Sequence, residues 1–141
     1  MPNRVPWSPS YNVGHPLVDS QHQALLAHCH ALADLFEAGA YASEEARFDE
    51  RFQRLMELAR EHFASESSLL ERHAYRALDE LQDEYDEFEF LADKILTADK
   101  FDRLEIQRFM TWWVLGHIKG TVEKQRACFS GDAPSASTAA D

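Results

Sequence analysis

His62 and Glu66 stand four residues apart in the stretch HFASE. On a helix that spacing stacks the two side chains on one face. The same face carries Phe52, Leu55 and Ala59 at steps of three and four, so it is a face the fold should bury. A buried, ionised carboxylate is costly unless it is paired. The two residues therefore form either a mutually satisfied core pair or part of a metal site. HxxxE alone does not choose, because a simple i,i+4 pair explains it. Two further imidazoles enlarge the set. His22 falls on a stripe with Leu25 or Leu26, Cys29, Leu32 and Phe36, and His117 on one with Ile106, Phe109 or Met110, Trp113 and Gly120. Imidazole nitrogen and carboxylate oxygen suit iron, manganese or zinc. Three imidazoles and one carboxylate directed into one core would satisfy each other best around a cation, provided they converge on one level.

Helices must position these residues. Proline is confined to positions 2, 6, 9, 16 and 134, and between Val18 and Phe129 the only strong helix breakers are Gly39, Gly116 and Gly120. With abundant Ala, Leu, Glu and Arg, this predicts helices over 18–37, 44–72, 76–97 and 102–129. Gly39 would end the first, and Ser43 would cap the second ahead of two acids. The second carries an inward stripe of Phe48, Phe52, Leu55, Ala59, His62, Glu66, Leu69 and His73. The third carries Leu78, Leu81, Tyr85, Phe88, Ala92 and Ile95. Four amphipathic helices with short connections predict an all-α fold, an antiparallel up-down-up-down four-helix bundle. Residues 1–129 are expected to form one domain. Its first seventeen residues would be an irregular arm, with Trp7, Tyr11 and Val13 packed against the bundle. Residues 130–141, SGDAPSASTAAD, are expected to be a disordered tail.

Bulk properties narrow the partners. A chain of 141 residues, 45% of them hydrophobic, supports one globular core. A formal net charge of -11 with no basic patch argues against nucleic acid and against anionic membrane surfaces. No apolar run is long enough to span a bilayer, and MPNRVPWSPS lacks the apolar segment of a secretory signal, so the expected location is the cytoplasm. Cys29 and Cys128 are expected to be reduced thiols acting as small buried hydrophobes.

WSPSYNVGHPLVDSQHQALL resembles the opening of bacterial hemerythrins, with its Trp, Val-Gly and Asp-x-Gln-His. HFASESSLLERHAYRAL is similar to their second-helix segment, HFxxEExxL followed by a Tyr. FMTWWVLGHIKG is similar to the WxxxHI of their last helix. The matches run in order from Trp7 to about Lys124. The resemblance implies a four-helix bundle that holds two irons through five histidines and two bridging carboxylates and binds O2 at one of them. Position by position it implies His22, His62, Glu66 and His117 as metal ligands, Glu66 as a bridging carboxylate.

Three positions depart from the family. Leu81 and Tyr85 stand where it has HxxxH, and Val122 stands where it has Asp. The retained set surrounds the O2-binding iron, and the losses fall on the other. The resemblance then implies one iron rather than two, held by His22, His62 and Glu66 with His117 or Tyr85 as a fourth ligand. Two histidines and a carboxylate also make up the ligand set of mononuclear non-haem Fe(II) oxygenases. Tyr85 is either a phenolate ligand to Fe(III) or a filler of the lost iron's volume, its hydroxyl bonded to Glu66 or His117. A second iron would need Tyr85, Glu84, Glu123 or water as substitutes.

Reversible O2 carriage draws one electron from each of two Fe(II) ions, so a single-iron site shifts the expectation. The first hypothesis is an O2- or redox-responsive module whose small-molecule partner is O2 or another diatomic. The second is a bundle that holds no metal and works through its surface with a protein partner. The third is an enzyme built on one iron; no substrate pocket is readable for it.

Overall fold

The computed structural model describes residues 2–37, 45–97 and 102–130. Four helices, α1 (Pro16–Glu37), α2 (Glu45–Arg72), α3 (Leu78–Thr97) and α4 (Arg103–Ser130), follow a 3-10 turn at Pro9–Tyr11, with no strand among the described residues. The fold is all-helical and compatible with a four-helix bundle. No helix is long and apolar enough to cross a membrane among the described residues. Gly39 and Ser43, expected as a stop and a cap, and residues 131–141 of the expected tail 130–141 lie outside the described residues, while Ser130 closes α4.

Local chemistry accounts for the boundaries. α1 starts at Pro16, two residues earlier than the periodicity predicts, because proline is tolerated in the first turn, where its missing N–H has no partner to lose. The Asp19 carboxylate then accepts from the backbone N–H groups of Val13 at 2.7 Å and Gly14 at 3.2 Å, tying the preceding segment to the helix. α2 ends in a Schellman motif. Ala74 takes a left-handed φ of 57°, Ala74 N donates to Glu71 O and Tyr75 N donates to Leu70 O. That turn delays α3 to Leu78. α4 opens with a reciprocal capping box: Glu105 N donates to Asp102 Oδ1 at 2.8 Å, and Asp102 N to Glu105 Oε1 at 3.2 Å.

Side chains fix the helices against one another. Arg60 on α2 forks onto Glu89 of α3, and Arg103 of α4 forks onto Asp49 of α2. Leu25, Leu55, Phe88 and Val114 meet in one core. Before α1, Trp7 and Tyr11 pack on that core, while Val13 joins Val18 and Leu69 in a smaller cluster that Val122 and Phe129 cover. Cys29 and Cys128 are buried free thiols. Burial raises both, Cys29 to about 12, so neither is a ready nucleophile.

The predicted stripes of α2 and α3 are the buried ones, with His73 and Leu78 half-exposed at their ends. α4 is rotated from the expectation. Ile106, Phe109 and Trp113 are half-buried, and the buried face is Gln107, Met110, Thr111, Val114, His117, Ile118 and Thr121. The rotation is tolerated because its polar residues find partners. Gln107 Nε2 donates to Asn3 O at 2.8 Å and Cys29 O at 3.1 Å, and Thr121 donates to His117 O at 2.8 Å.

Candidate metal centre

α1, α2 and α4 bring four polar side chains to one level. His22, His62, Glu66 and His117 are 2% exposed or less, and one ligand atom of each lies within 4.8 Å of all the others. His62 Nε2 is 3.0 Å from His22 Nε2 and 3.1 Å from His117 Nε2. Glu66 Oε1 is 3.5 Å from His62 Nε2 and 3.3 Å from His117 Nε2. Three imidazoles thus aim the same ring nitrogen at a common point, with a carboxylate oxygen beside it.

The outer ring nitrogens are held differently. His62 Nδ1 meets Gln21 Oε1 at 2.7 Å, and Gln21 is itself anchored to Ser65 at 3.2 Å. His117 Nδ1 faces Glu84 Oε2 at 3.4 Å. These partners place an N–H on the outer nitrogen of His62 and of His117, and the neutral His62 ring then turns its Nε2 lone pair inward. His22 Nδ1 is buried and has no partner. Trp113 stacks on the His117 ring, centroids 5.4 Å apart and planes 6° apart, and fixes its orientation.

The electrostatics follow from burial. Desolvation, helped by His62 and His117, lowers His22 to about 2. Desolvation also lowers His62, to about 4, with Glu66 opposing it. Burial alone would raise Glu66, but His117, His62 and Tyr85 outweigh it and hold the carboxyl at about 2. Burial alone would lower His117, but Glu66 and Glu84 outweigh it and raise the imidazole to about 9. Without metal, the site is a buried His117–Glu66 ion pair beside two neutral imidazoles.

No family model matches this chain, and no curated protein and no solved structure matches it.

The donor set itself tests whether a cation fits. Ligands about 2.0–2.1 Å from one cation sit roughly 2.8–3.4 Å from each other. Four of the six separations, 3.0 to 3.5 Å, fall in or at the edge of that range, and the two from His22 to His117 and to Glu66 are within 4.8 Å. Lone pairs that oppose at these distances repel unless a proton or a cation lies between them. Metal-ligating histidines also characteristically donate their other ring N–H outward. Gln21 and Glu84 stand in those positions. The cluster could hold a metal ion.

The remaining sequence candidates separate cleanly. Tyr85 is buried and donates its hydroxyl to Glu66 Oε1 in a short hydrogen bond. Its ring stacks on Phe63, centroids 4.2 Å apart. Burial and the neighbouring Glu66 raise its phenol, which keeps it protonated and makes it a support for the carboxylate. Leu81 is buried and brings no ligand atom. Val122 packs with Val13, Val18 and Leu69. Glu123 is exposed. His73 packs against Phe129, 5.6 Å between centroids, away from the cluster. Sequence analysis missed Gln21 and Thr121. Gln21 adjoins His22, and one residue is a turn of about 100° on a helix, so it points to α2 rather than to the centre. Thr121 is one turn beyond His117, and its hydroxyl lies 3.4 Å from Glu66 Oε2.

Proposed function

We propose that this chain is a diverged hemerythrin-like bundle, up-down-up-down in topology, that holds one iron through His22, His62, His117 and Glu66. It acts in the cytoplasm as an O2- or redox-responsive module. One observation carries the reading: three imidazole Nε2 atoms and one carboxylate oxygen converge with ligand-like spacing in a water-excluded core. When bound, iron supplies one-electron chemistry toward O2 or another small diatomic. The chain's own residues do the rest. Gln21 and Glu84 orient two of the rings. Tyr85 holds Glu66 Oε1, and the Trp113 stack limits rotation of His117. Metal uptake requires His117 to give up a proton, so binding should release protons and weaken in acid.

One ion is favoured over two because Leu81, Val122 and the exposed Glu123 offer no second ligand set. A metal-free interaction bundle is the second reading. It is favoured by the His117–Glu66 pair, which is self-satisfied without a cation. Metal content per chain, on protein purified without a metal-affinity tag from iron-replete cells, separates them. One iron per chain is the expected result. No iron, with a folded bundle that takes up none on addition of Fe(II), would overturn the proposal.

A further inference from the structure

Three large apolar side chains are well exposed among the described residues, Leu17, Phe90 and Trp112, and Trp112 on α4 is the most open at 66%. An indole is costly to leave in water and carries a large share of the binding energy where it is buried between proteins. Phe90, on α3, already has Lys94 over its ring at 5.2 Å. Trp112 stands on an outward stripe of α4 with Glu105, Gly116 and Lys119, all exposed. Gly116 lies one turn further along, and a Cβ built there would meet nothing within 4 Å, so bare backbone is open beside the indole. Glu105 and Lys119 each lie seven residues from Trp112, on opposite sides, two turns or about 10.5 Å away. The stripe is therefore its own complement: turned end for end about Trp112, it sets Glu105 on Lys119 and Lys119 on Glu105. The rest of the surface favours that face. The chain carries a formal net charge of -11, which drives copies apart. On α3 the exposed Asp83, Asp86, Glu87 and Asp93 would set acids against acids, whereas Glu105 and Lys119 cancel.

We propose that the outer face of α4 binds a second copy of this chain, antiparallel, about a two-fold axis through Trp112. Each indole lies over the Gly116 backbone of the other copy, and Glu105 of each copy pairs with Lys119 of the other. Such an isologous contact uses one patch twice, so every contact occurs in duplicate. The ion pairs fix the register and reject wrong partners, and burial of the two indoles supplies the affinity. Equal spacing of opposite charges about Trp112 is what a two-fold contact requires and a contact with an unrelated chain does not. None of these residues belongs to the His/Glu cluster, so the contact stands apart from the metal reading.

The test is sedimentation equilibrium of the full chain as purified, over about 1 μM to about 1 mM. A reversible monomer–dimer equilibrium is expected. Trp112→Ala should weaken it by about thirtyfold or more, the loss of an interface anchor. Glu105→Lys and Lys119→Glu should each weaken it by about tenfold or more, because each sets like charges face to face twice. An equimolar mixture of these two variants should restore the dimer, since both cross-contacts then pair opposite charges. Glu105 also caps α4, so thermal unfolding checks that its variant folds. Where it does not, Trp112→Ala and Lys119→Glu, both exposed positions, still decide. A wild-type chain that stays monomeric to about 1 mM would overturn the proposal. So would a dimer that Trp112→Ala leaves intact, or a mixture no stronger than its components.

Discussion

Gln107 and Thr111 are as deeply buried as His117 and Thr121, about three turns further along α4, yet the two levels are satisfied in different ways. At the first level every polar atom meets a protein partner. Gln107 Oε1 accepts from Asn3 N at 2.8 Å, its Nε2 donates to Asn3 O and Cys29 O, and Thr111 donates to Gln107 O at 2.9 Å. At the second level, three Nε2 atoms face one another and a carboxylate. Burial of polar groups therefore does not distinguish a site from a core network. What distinguishes them is whether the atoms point at partners or at a shared point.

Substitution should separate the two levels. His62→Ala removes the nitrogen closest to two of the others and is expected to abolish metal binding, a loss of at least about a hundredfold in affinity, or ~3 kcal/mol. Gln107→Leu is expected to leave metal content unchanged. Metal analysis of both variants checks the pair, and equal losses would dissolve the distinction.

Acidity should sharpen it next. In the metal-free protein, folding holds His22 at about 2 and His62 at about 4, against 6.5 unfolded. The unfolded chain thus binds protons that the folded chain refuses, and stability falls as pH drops below 6.5, through about 4 for His62 and on to about 2 for His22. His117 has the opposite sign. Its folded value of about 9 exceeds 6.5, so its contribution is complete below 6.5 and is lost as pH rises through about 9. Urea midpoints at about pH 5, 7 and 10 should be highest at the middle value. Gln107 and Thr111 do not titrate, so His62→Ala should flatten the acid limb and Gln107→Leu should not.

Smaller effects follow. Gln107→Leu leaves Asn3 N and Asn3 O without their partner and should cost about 1–3 kcal/mol with or without metal. Tyr85→Phe removes one hydrogen bond to a buried carboxylate, for about 1.5–3 kcal/mol of stability. It should keep metal affinity within about tenfold. A larger loss of affinity would make the phenol oxygen a ligand. The smallest change lies outside both levels: Ala74→Gly, at a left-handed φ of 57°, should stabilise the end of α2 by about 0.5–1 kcal/mol in thermal unfolding.

Much of this was legible in the chain. Steps of three and four in Phe48, Phe52, Leu55, Ala59, His62 and Glu66 describe a buried helical face, and the structure buries all six. His22 and His117 were likewise placed inward by their neighbours. α4 was harder to read. Trp112, Trp113, Val114 and Leu115 put apolar residues on every side, so no single stripe stands out. The helix turned Gln107, Thr111 and Thr121 inward, Gln107 onto Asn3 O and Cys29 O and the two threonines onto the carbonyls four residues back in α4, and left Trp112 exposed.

A helix's period fixes the face of each of its residues, because 3.6 residues per turn is a property of one chain segment. On that ground the sequence alone placed His22, His62, Glu66 and His117 inward, although on α4 it did not show that Gln107, Thr111 and Thr121 would be buried too. It did not determine that their ligand atoms would meet. That depends on how far each helix slides and rotates against its neighbours, which packing across α1, α2 and α4 decides. Packing of α1 on α2 brought Gln21 to His62, and packing of α3 against α4 and α2 brought Glu84 to His117 and Tyr85 to Glu66. These contacts span 19 to 41 residues of chain, and no local pattern encodes such distances.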